Sequence, residues 1–381
     1  MDRSTLTKAV KQQAQALGFD LVGVTSPDPP AHLDIYRSWL AAGRHGEMGY
    51  LAGERAIERR ADPKIILPEC QSILVLGVPY SKPLEPRGGR NNPQGRVAAY
   101  AWGNDYHEAL KERLATLVAF IEERIGRSIP NRWYTDTGPI LERELAQRAG
   151  LGWIGKNTML INPRRGSYFL LAEILLGVEL DFDEAITSDH CGTCTRCIQA
   201  CPTGCILPDR TLDASRCISY LSIELKGSIP IELRPEVGDW VFGCDICQQV
   251  CPWNEQFAQG EGDAAFAARP GVTAVDLGAE LGLSPQDFNA KFKGSPVKRA
   301  KRRGYLRNVA VALGNSGQRA SAKGLAQALG DEEALVRGHA AWALGRLGGD
   351  VAQRALQEAF ELEQDDGVRE EIAAALAVLD D

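Results

Sequence analysis

The chain has 381 residues, of which 44% are hydrophobic and 24% are charged, and its formal net charge is −7. This composition is typical of a globular protein of two or three domains. It excludes a chain that is basic overall, so any contact with nucleic acid must come from a local basic patch. The first 20 residues lack the apolar core of a signal peptide, and no apolar run is long enough to span a membrane. We therefore expect a cytoplasmic protein with no membrane partner, in which cysteines stay reduced.

The first 180 residues mix helical and strand patterns. Residues 72–80 are a short apolar run that predicts a buried strand, and residues 167–180 form a second buried segment. Between them, residues 107–125 have the apolar spacing and charged opposite face of an amphipathic helix. This alternation predicts that residues 1–180 form a domain of the α/β or α+β class.

Residues 133–161 contain the most informative stretch outside the cysteines. Asp136 lies in a Thr-Asp-Thr-Gly turn, ahead of a helical pattern and a glycine-rich turn. A carboxylate in this place either caps the helix or donates a proton, and the residues alone favour the cap. No glycine-rich dinucleotide motif follows a strand, so the sequence offers no nicotinamide or flavin site.

Residues 181–260 are rich in cysteine. Nine of the ten cysteines lie between residues 191 and 251. The run that begins at Cys191 has the spacing C-x2-C-x2-C-x3-C-P of bacterial ferredoxins, in which the fourth cysteine ligates the other cluster. A second run, C-x2-C-x3-C-P, begins at Cys244 and is one ligand short, and Cys217 is the natural substitute.

These cysteines suffice for two 4Fe–4S clusters. The first cluster would take Cys191, Cys194, Cys197 and Cys251, and the second would take Cys201, Cys217, Cys244 and Cys247. Structural zinc is the alternative, but zinc does not explain the third cysteine at the same spacing or the proline after both runs. Cys70 and Cys205 are left over, and we expect both to be buried free thiols.

The C-terminal part of the chain is predicted to be helical. Residues 261–302 form a basic helical linker, and residues 303–381 contain three similar segments. In these segments Arg307, Arg337 and Arg369 hold equivalent places, each followed by an alanine-rich apolar stripe. Such a period predicts stacked helix pairs of the HEAT type, which serve either as a scaffold or as a binding surface.

Six motifs in order resemble the epoxyqueuosine reductase family. They are YTDTGPILER, RAGLGWIGKNTMLI, GSYFLLAEI, CGTCTRCIQACPTGCI, RCISYL and GCDICQQVCPWN. The resemblance covers essentially the whole chain. It implies a cobalamin-dependent iron–sulfur enzyme that reduces an epoxide on the modified wobble base of certain tRNAs, which is the last step of queuosine synthesis.

The resemblance also implies roles for individual residues. Asp136 matches the family's proton donor, and residues 1–180 would bind cobalamin. The implied cofactor contacts are Arg60, Asp136, Lys156, Asn157, Leu160, Ser219 and Asp245. An external one-electron donor would reduce the clusters, which pass electrons to the cofactor. None of the five histidines lies in the D-x-H-x-x-G motif with which many cobalamin proteins ligate cobalt, so we expect no histidine below the metal. His107 is expected to serve the structure at a helix start.

A tRNA substrate requires a basic surface. Residues 291–307 carry eight basic residues and no acidic one. This pattern is either a solvated helix face or a phosphate-binding surface, and we favour phosphate contact. The RNA-binding residues are expected to be Lys298, Arg299, Lys301, Arg302 and Arg303.

Two other functions fit parts of the sequence. A cobalamin-dependent reductase of a small molecule, similar to reductive dehalogenases, would use the same clusters but leaves the basic segment and the repeats unexplained. A non-enzymatic electron-transfer or RNA-binding scaffold would need neither Asp136 nor a corrin. Nothing in the sequence requires more than a monomer.

Overall fold

The computed structural model describes residues 1–83, 92–258, 260 and 262–380. We number strands and helices in chain order. The strands are β1 (Leu21–Thr25), β2 (Ser72–Pro79), β3 (Gln94–Val97), β4 (Asn131–Tyr134), β5 (Trp153–Ile154), β6 (Leu160–Ile161), β7 (Phe169–Leu176), β8 (Trp240–Phe242) and β9 (Val275–Asp276). The helices are α1 (Arg3–Ala16), α2 (Leu33–Ala41), α3 (Glu54–Ala61), α4 (Tyr106–Ile125), α5 (Glu142–Arg148), α6 (Arg196–Ala200), α7 (Ile218–Ile223), α8 (Arg234–Val237), α9 (Ile246–Gln249), α10 (Pro252–Phe257), α11 (Leu277–Leu281), α12 (Pro285–Lys291), α13 (Lys301–Asn315), α14 (Ala322–Ala328), α15 (Ala334–Leu347), α16 (Asp350–Leu362) and α17 (Asp366–Asp380).

The chain forms two compact units. The first comprises Met1–Pro83, Gly103–Ala214 and Ile246–Ala267, and the second comprises the described parts of Leu84–Trp102, Ser215–Asp245 and Ala268–Asp381. Because each unit is assembled from three separate stretches, the two are interleaved along the sequence. The division into four consecutive domains stays a prediction.

The first unit is built on a four-stranded antiparallel sheet in the order β1-β2-β7-β4. The predicted strand at residues 72–80 is β2, and the buried segment at 167–180 contains β7, so both predictions are confirmed. Helices α1 and α4 pack together beside this sheet, while α5 packs on β1, β2 and β7. The predicted helix at residues 107–125 is α4, and this prediction is also confirmed.

A glycine on β1 allows α5 to pack closely on the sheet. A Cβ atom at Gly23 would lie 2.0 Å from the carbonyl oxygen of Ala149, the residue that ends α5. Leu145, Ala146 and Ala149 share a core there with alternate residues of β2. This contact fixes the C-terminal end of α5 against the sheet.

The second unit is mainly helical. A three-stranded sheet of β8, β3 and β9 accompanies helices α7, α8 and α11–α17. Helices α13 and α15 pack against each other, as do α15 and α17. The predicted helical repeats are confirmed, and the whole chain has the multidomain α+β fold that the sequence predicts.

The repeated arginines hold this stack together. Arg307 is completely buried and donates to the carbonyl oxygens of Leu225 and Gly227 at 2.9 and 2.7 Å. Arg337 and Arg369 likewise donate to main-chain carbonyl oxygens outside their own helices. Because a buried guanidinium needs acceptors for its five donors, these arginines serve a structural role.

None of the helices in the described part of the chain is both long and apolar enough to cross a membrane.

Candidate functional site

The first predicted cluster site is assembled within the first unit. Cys191, Cys194, Cys197 and Cys251 all line one cavity of about 270 Å³, together with Lys156 and Trp253. Burial raises the pKa of the Cys197 thiol, and negative charge on the neighbouring Cys191 raises it further. Among the described residues, no three His, Cys, Asp or Glu side chains are grouped closely enough to share one metal ion. The four cysteines share the lining of one cavity, and their assignment to a 4Fe–4S cluster stays a prediction.

Two predicted cofactor contacts support the cysteine loops. Lys156 Nζ donates to the carbonyl oxygens of Gly192 and Cys194 at 2.7 and 2.9 Å. Asn157 is buried, and its Nδ2 donates to the carbonyl oxygen of Cys247 at 3.4 Å. These side chains therefore hold the main chain around the cysteines, and their contact with a corrin stays a prediction.

The second predicted set is divided between the two units. Cys201 and Cys247 belong to the first unit, and Cys217 and Cys244 belong to the second. A hydrogen bond from Cys205 lowers the pKa of the Cys201 thiol to about 5. A lowered pKa favours the thiolate, which is the form that binds iron. The assignment of these four cysteines to one cluster stays a prediction.

The two cysteines outside the ligand sets are buried, as predicted. Cys70 is 3% exposed, and its thiol lies 3.4 Å from the carbonyl oxygen of Ser72. Cys205 is 2% exposed, and its sulfur lies 3.4 Å from the sulfur of Cys201. Cys205 is thus more than a space-filling residue, because it contacts a predicted ligand.

Asp136 is an accessible carboxyl held by several polar neighbours. Its side chain is 63% exposed, and Oδ2 accepts a hydrogen bond of 2.7 Å from the hydroxyl of Tyr106. The same oxygen lies 3.8 Å from Nε2 of His107. The main-chain N–H of Asp136 donates to Oε1 of Glu142 at 2.7 Å. Since α5 begins only at Glu142, with Leu141 before it, the helix-cap interpretation of Asp136 is wrong.

The backbone at Asp136 is in the left-handed region, with φ of 59°. Aspartate and asparagine tolerate this region better than other non-glycine residues. Thr158 is also left-handed, with φ of 64°, and a β-branched residue there is a true outlier. Its carbonyl oxygen accepts from the guanidinium of Arg143. Such strained positions are typical of active sites and ligand clamps.

Several side chains near Asp136 have shifted pKa values. Hydrogen bonding to Asp105 raises the pKa of His107 to about 9, and Asp136 adds to this effect. Burial raises the pKa of Glu142 to about 7, and the charge of Asp136 raises it further. Burial also raises the pKa of Glu173, on β7, well above its usual value. One imidazole and two carboxyls with raised pKa values therefore lie near enough to Asp136 to feel its charge.

Sequence reasoning missed several of these neighbours. The sequence predicts only a structural role for His107. It does not single out Tyr106, Glu142, Arg143, Thr158 or Glu173. The available signal was the run Asp-Tyr-His at the start of α4, where acid, hydroxyl and imidazole are adjacent. Nothing in that run shows which distant loop it faces.

The remaining predicted cofactor contacts lie in different surroundings. Arg60, at the end of α3, lies over the ring of Tyr36 at 5.5 Å from the ring centre. The side chain of Leu160 is packed in the core below α5. Ser219, on α7, and Asp245 belong to the second unit. Asp245 is buried, accepts from the N–H of Ala99 at 2.8 Å, and has its pKa raised to about 7 by burial. Corrin contacts from these four residues stay predictions.

The basic segment divides into exposed and engaged side chains. Lys298, Arg299 and Lys301 are exposed, and Arg303 is half-buried. Arg299 forms an ion pair with Glu224. Arg302 differs, because its side chain is 15% exposed and its guanidinium donates to Asp331 and to the carbonyl oxygen of Leu283. Arg302 therefore has a structural role that the sequence did not reveal.

The second unit adds a lysine to this basic surface. Burial lowers the pKa of Lys226, and the positive charges of Arg299, Lys301 and Arg303 contribute to the shift. Lys226 lies more than 70 positions earlier in the sequence, so the segment 291–307 alone does not predict it.

Matches to family models define the class of protein. Residues 190–254 match a 4Fe-4S double cluster binding domain, and residues 301–377 match HEAT repeats. A model described as epoxyqueuosine reductase QueG, DUF1730 matches residues 60–137. The class is therefore an iron–sulfur protein with a C-terminal helical repeat.

Whole-chain comparisons identify the family. The epoxyqueuosine reductase of Pseudomonas aeruginosa is 40% identical over 352 residues, which cover 91% of this chain and 96% of the relative. The epoxyqueuosine reductase of Escherichia coli (strain K12) is 36% identical, and the match covers 91% of this chain and 90% of that relative. A crystal structure of epoxyqueuosine reductase with a tRNA-Tyr epoxyqueuosine-modified stem loop has a TM-score of 0.90, 31% identity and 99% coverage of both chains. The chain belongs to the epoxyqueuosine reductase family.

Proposed function

We propose that this protein reduces the epoxide of epoxyqueuosine in tRNA to give queuosine, with cobalamin and two 4Fe–4S clusters as its cofactors. The named relatives support the reaction, and the solved relative that holds a modified tRNA stem loop supports the substrate. The double-cluster match supports the iron–sulfur part. The observation that carries the proposal is Asp136, an exposed carboxyl that Tyr106 and His107 hold in a strained loop.

The reaction consumes two electrons and two protons, and the epoxide oxygen leaves as water. The clusters, when bound, would supply the electrons singly from an external donor. Cobalamin, when bound, would supply a low-valent cobalt that delivers them to the epoxide carbon. The chain's own task is to hold the clusters, orient the base and supply protons.

Asp136 delivers a proton to the epoxide oxygen as the C–O bond breaks. Because the Asp136 side chain is exposed, it can reach a bound base, and the hydrogen bond from the Tyr106 hydroxyl orients its carboxyl. Once Asp136 has lost its proton, the protonated imidazole of His107 lies 3.8 Å from the carboxylate. The raised pKa of His107, about 9, favours the protonated imidazole, which places a positive charge beside the carboxylate. Because the Asp136 side chain is 63% exposed, it can take its next proton from water.

The proposed cofactor site lies at the surface around Asp136. Arg143 is accessible to solvent, and desolvation lowers its pKa. It connects α5 to the strained residue Thr158. The corrin ring carries amide groups around its edge, so charged and main-chain groups at this surface suit it. Arg60, Lys156, Asn157, Leu160, Ser219 and Asp245 remain the proposed contacts.

The basic surface would bind the tRNA backbone. Lys226, Lys298, Arg299, Lys301 and Arg303 supply positive charge in a chain that is negative overall. Phosphate contacts of this kind provide most of the sequence-independent affinity for nucleic acid. The target base is expected to leave its stack to reach the reacting centre.

The substitution Asp136→Asn tests the proposed chemistry. Asparagine tolerates the left-handed backbone and retains the shape of aspartate, but it cannot donate a carboxyl proton. We expect turnover of epoxyqueuosine tRNA to fall at least about 100-fold, while iron content, cobalamin binding and tRNA binding stay unchanged. Glu123→Gln, an exposed carboxyl on the same helix as Tyr106, is the control and should retain activity. Normal turnover in the Asp136→Asn protein would refute the assigned role.

A further inference from the structure

A thiol that belongs to neither predicted ligand set lies next to one predicted cluster ligand. The sulfur of Cys205 is 3.4 Å from the sulfur of Cys201, and both residues belong to the first unit. Eight other cysteines already account for two clusters, so Cys205 is not needed as a ligand. It is nevertheless 2% exposed and positioned at hydrogen-bond distance from a ligand sulfur.

The direction of this hydrogen bond follows from ligation. A cysteine bound to iron is a thiolate and has no proton to donate. The proton between the two sulfurs must therefore come from Cys205, whose S–H is a weak donor. The hydroxyl of Thr203, which is 3% exposed, lies 3.6 Å from the same sulfur. Two buried side chains thus converge on the sulfur of Cys201.

The equivalent ligand of the first cluster has different neighbours. Cys201 and Cys251 both end a cysteine run and both precede a proline. Two and four residues after Cys251, the chain has Trp253 and Glu255 instead of a hydroxyl and a thiol. Glu255 is half exposed and pairs with Arg196 at 3.0 Å. The side-chain donors therefore distinguish two otherwise similar ligand positions.

We propose that Cys205 donates a hydrogen bond to the second cluster through Cys201 and raises the reduction potential of that cluster. Reduction adds one electron to the cluster and increases its negative charge, so a donor to a ligand sulfur stabilises the reduced form. The electron comes from the external donor, and no atom is transferred. The inference rests on the proposed function, because it requires a second cluster with Cys201 as a ligand.

The test is a potentiometric titration of the anaerobically purified holoprotein, followed by electron paramagnetic resonance. In the Cys205→Ala protein we expect one of the two cluster potentials to fall and the other to stay constant. The loss of a single weak hydrogen bond should reduce the equilibrium constant for reduction about fivefold, which is about 40 mV for one electron. Cys205→Ser retains a donor and should stay closer to the wild-type potential.

Matched variants separate this role from other effects. Cys70→Ala removes the other buried thiol and should change neither potential. Cys205→Val fills the volume without a donor, and it replaces the alanine variant if that variant does not fold. Unchanged potentials in a Cys205→Ala protein with eight irons would overturn the inference. The loss of four irons from that variant would also overturn it, because Cys205 would then be a ligand. A wild-type chain that binds only four irons would instead refute the second cluster and the proposed function.

Discussion

Around Asp136, individual side chains change one another's acidity. Asp105 holds Nδ1 of His107 at 2.7 Å and raises its pKa, while Nε2 of the same ring faces Asp136. Tyr106, the neighbouring residue, contributes the hydroxyl that orients the carboxyl. Two adjacent residues of one helix therefore lie against the same carboxyl oxygen of Asp136.

The raised pKa of His107 predicts a pH-dependent contribution to stability. The folded-state pKa is about 9, above the usual value of 6.5, so the protonated imidazole stabilises the folded protein. This contribution is fully present below about pH 6.5 and is lost as the pH rises through about 9. We expect His107→Asn to lower the stability by about 1–2 kcal/mol near pH 6, after allowance for its partial exposure, and by much less near pH 10.

Thermal unfolding of the wild-type and His107→Asn holoproteins at both pH values measures this difference. The measurement near pH 10 is the control, because a loss of packing would lower the stability equally at both pH values. An equal loss of stability near pH 6 and near pH 10 would show that His107 acts through packing rather than through its charge.

At the scale of elements, the basic segment around the start of α13 combines two roles. Its exposed side chains face solvent, whereas Arg302 joins this helix to Asp331 between α14 and α15. Arg307 one turn further is completely buried among carbonyl oxygens. A run of like charges can therefore contain both surface and core residues, because a helix turns successive side chains to different faces.

The two roles predict different effects on tRNA binding. The triple variant Lys298→Gln, Lys301→Gln and Arg303→Gln should weaken binding of a tRNA stem loop about 100-fold near 0.1 M salt. It should also flatten the slope of log affinity against log salt by about 2, because fewer counterions are released. Binding measured at several salt concentrations gives both quantities.

Arg302→Met is the matched control for this experiment. Removal of the Arg302 guanidinium leaves the poorly exposed carboxylate of Asp331 without this ion pair. We expect the free energy of unfolding to fall by about 2–3 kcal/mol. It should leave the salt dependence of binding unchanged. An unaltered affinity and slope in the triple variant would reject the basic surface, and a flattened slope in Arg302→Met would show that the structural assignment of Arg302 is wrong.

At the scale of the whole molecule, the proposed cofactors predict a metal stoichiometry. Anaerobic purification with added cobalamin should give about eight irons and one cobalt per chain, because eight cysteines supply two four-iron clusters. Metal analysis and an absorption spectrum measure this directly. Eight irons without cobalt would retain the clusters but remove the chemistry proposed for Asp136. Zinc in place of iron would refute the electron-transfer function altogether.

The sequence was most informative where the chemistry is local. Ferredoxin-type cysteine spacing, a proline after each run and an amphipathic helix are all patterns within a few residues, so they predicted the iron–sulfur domain and α4. The arginine period likewise predicted the helical stack. The positive charge of the basic segment could be predicted for the same reason, since charge is a property of each residue alone.

What the sequence by itself determined was therefore the set of reactive groups and the elements that carry them. Only the tertiary structure decided which groups meet: Asp136 with Tyr106 and His107, which lie about 30 positions earlier, and Arg302 with Asp331. The same holds for Cys205, whose role depends on a contact with Cys201 and not on its place in a motif. The physical reason is that acidity, burial and hydrogen bonding depend on neighbours in space, and long-range packing brings those neighbours together.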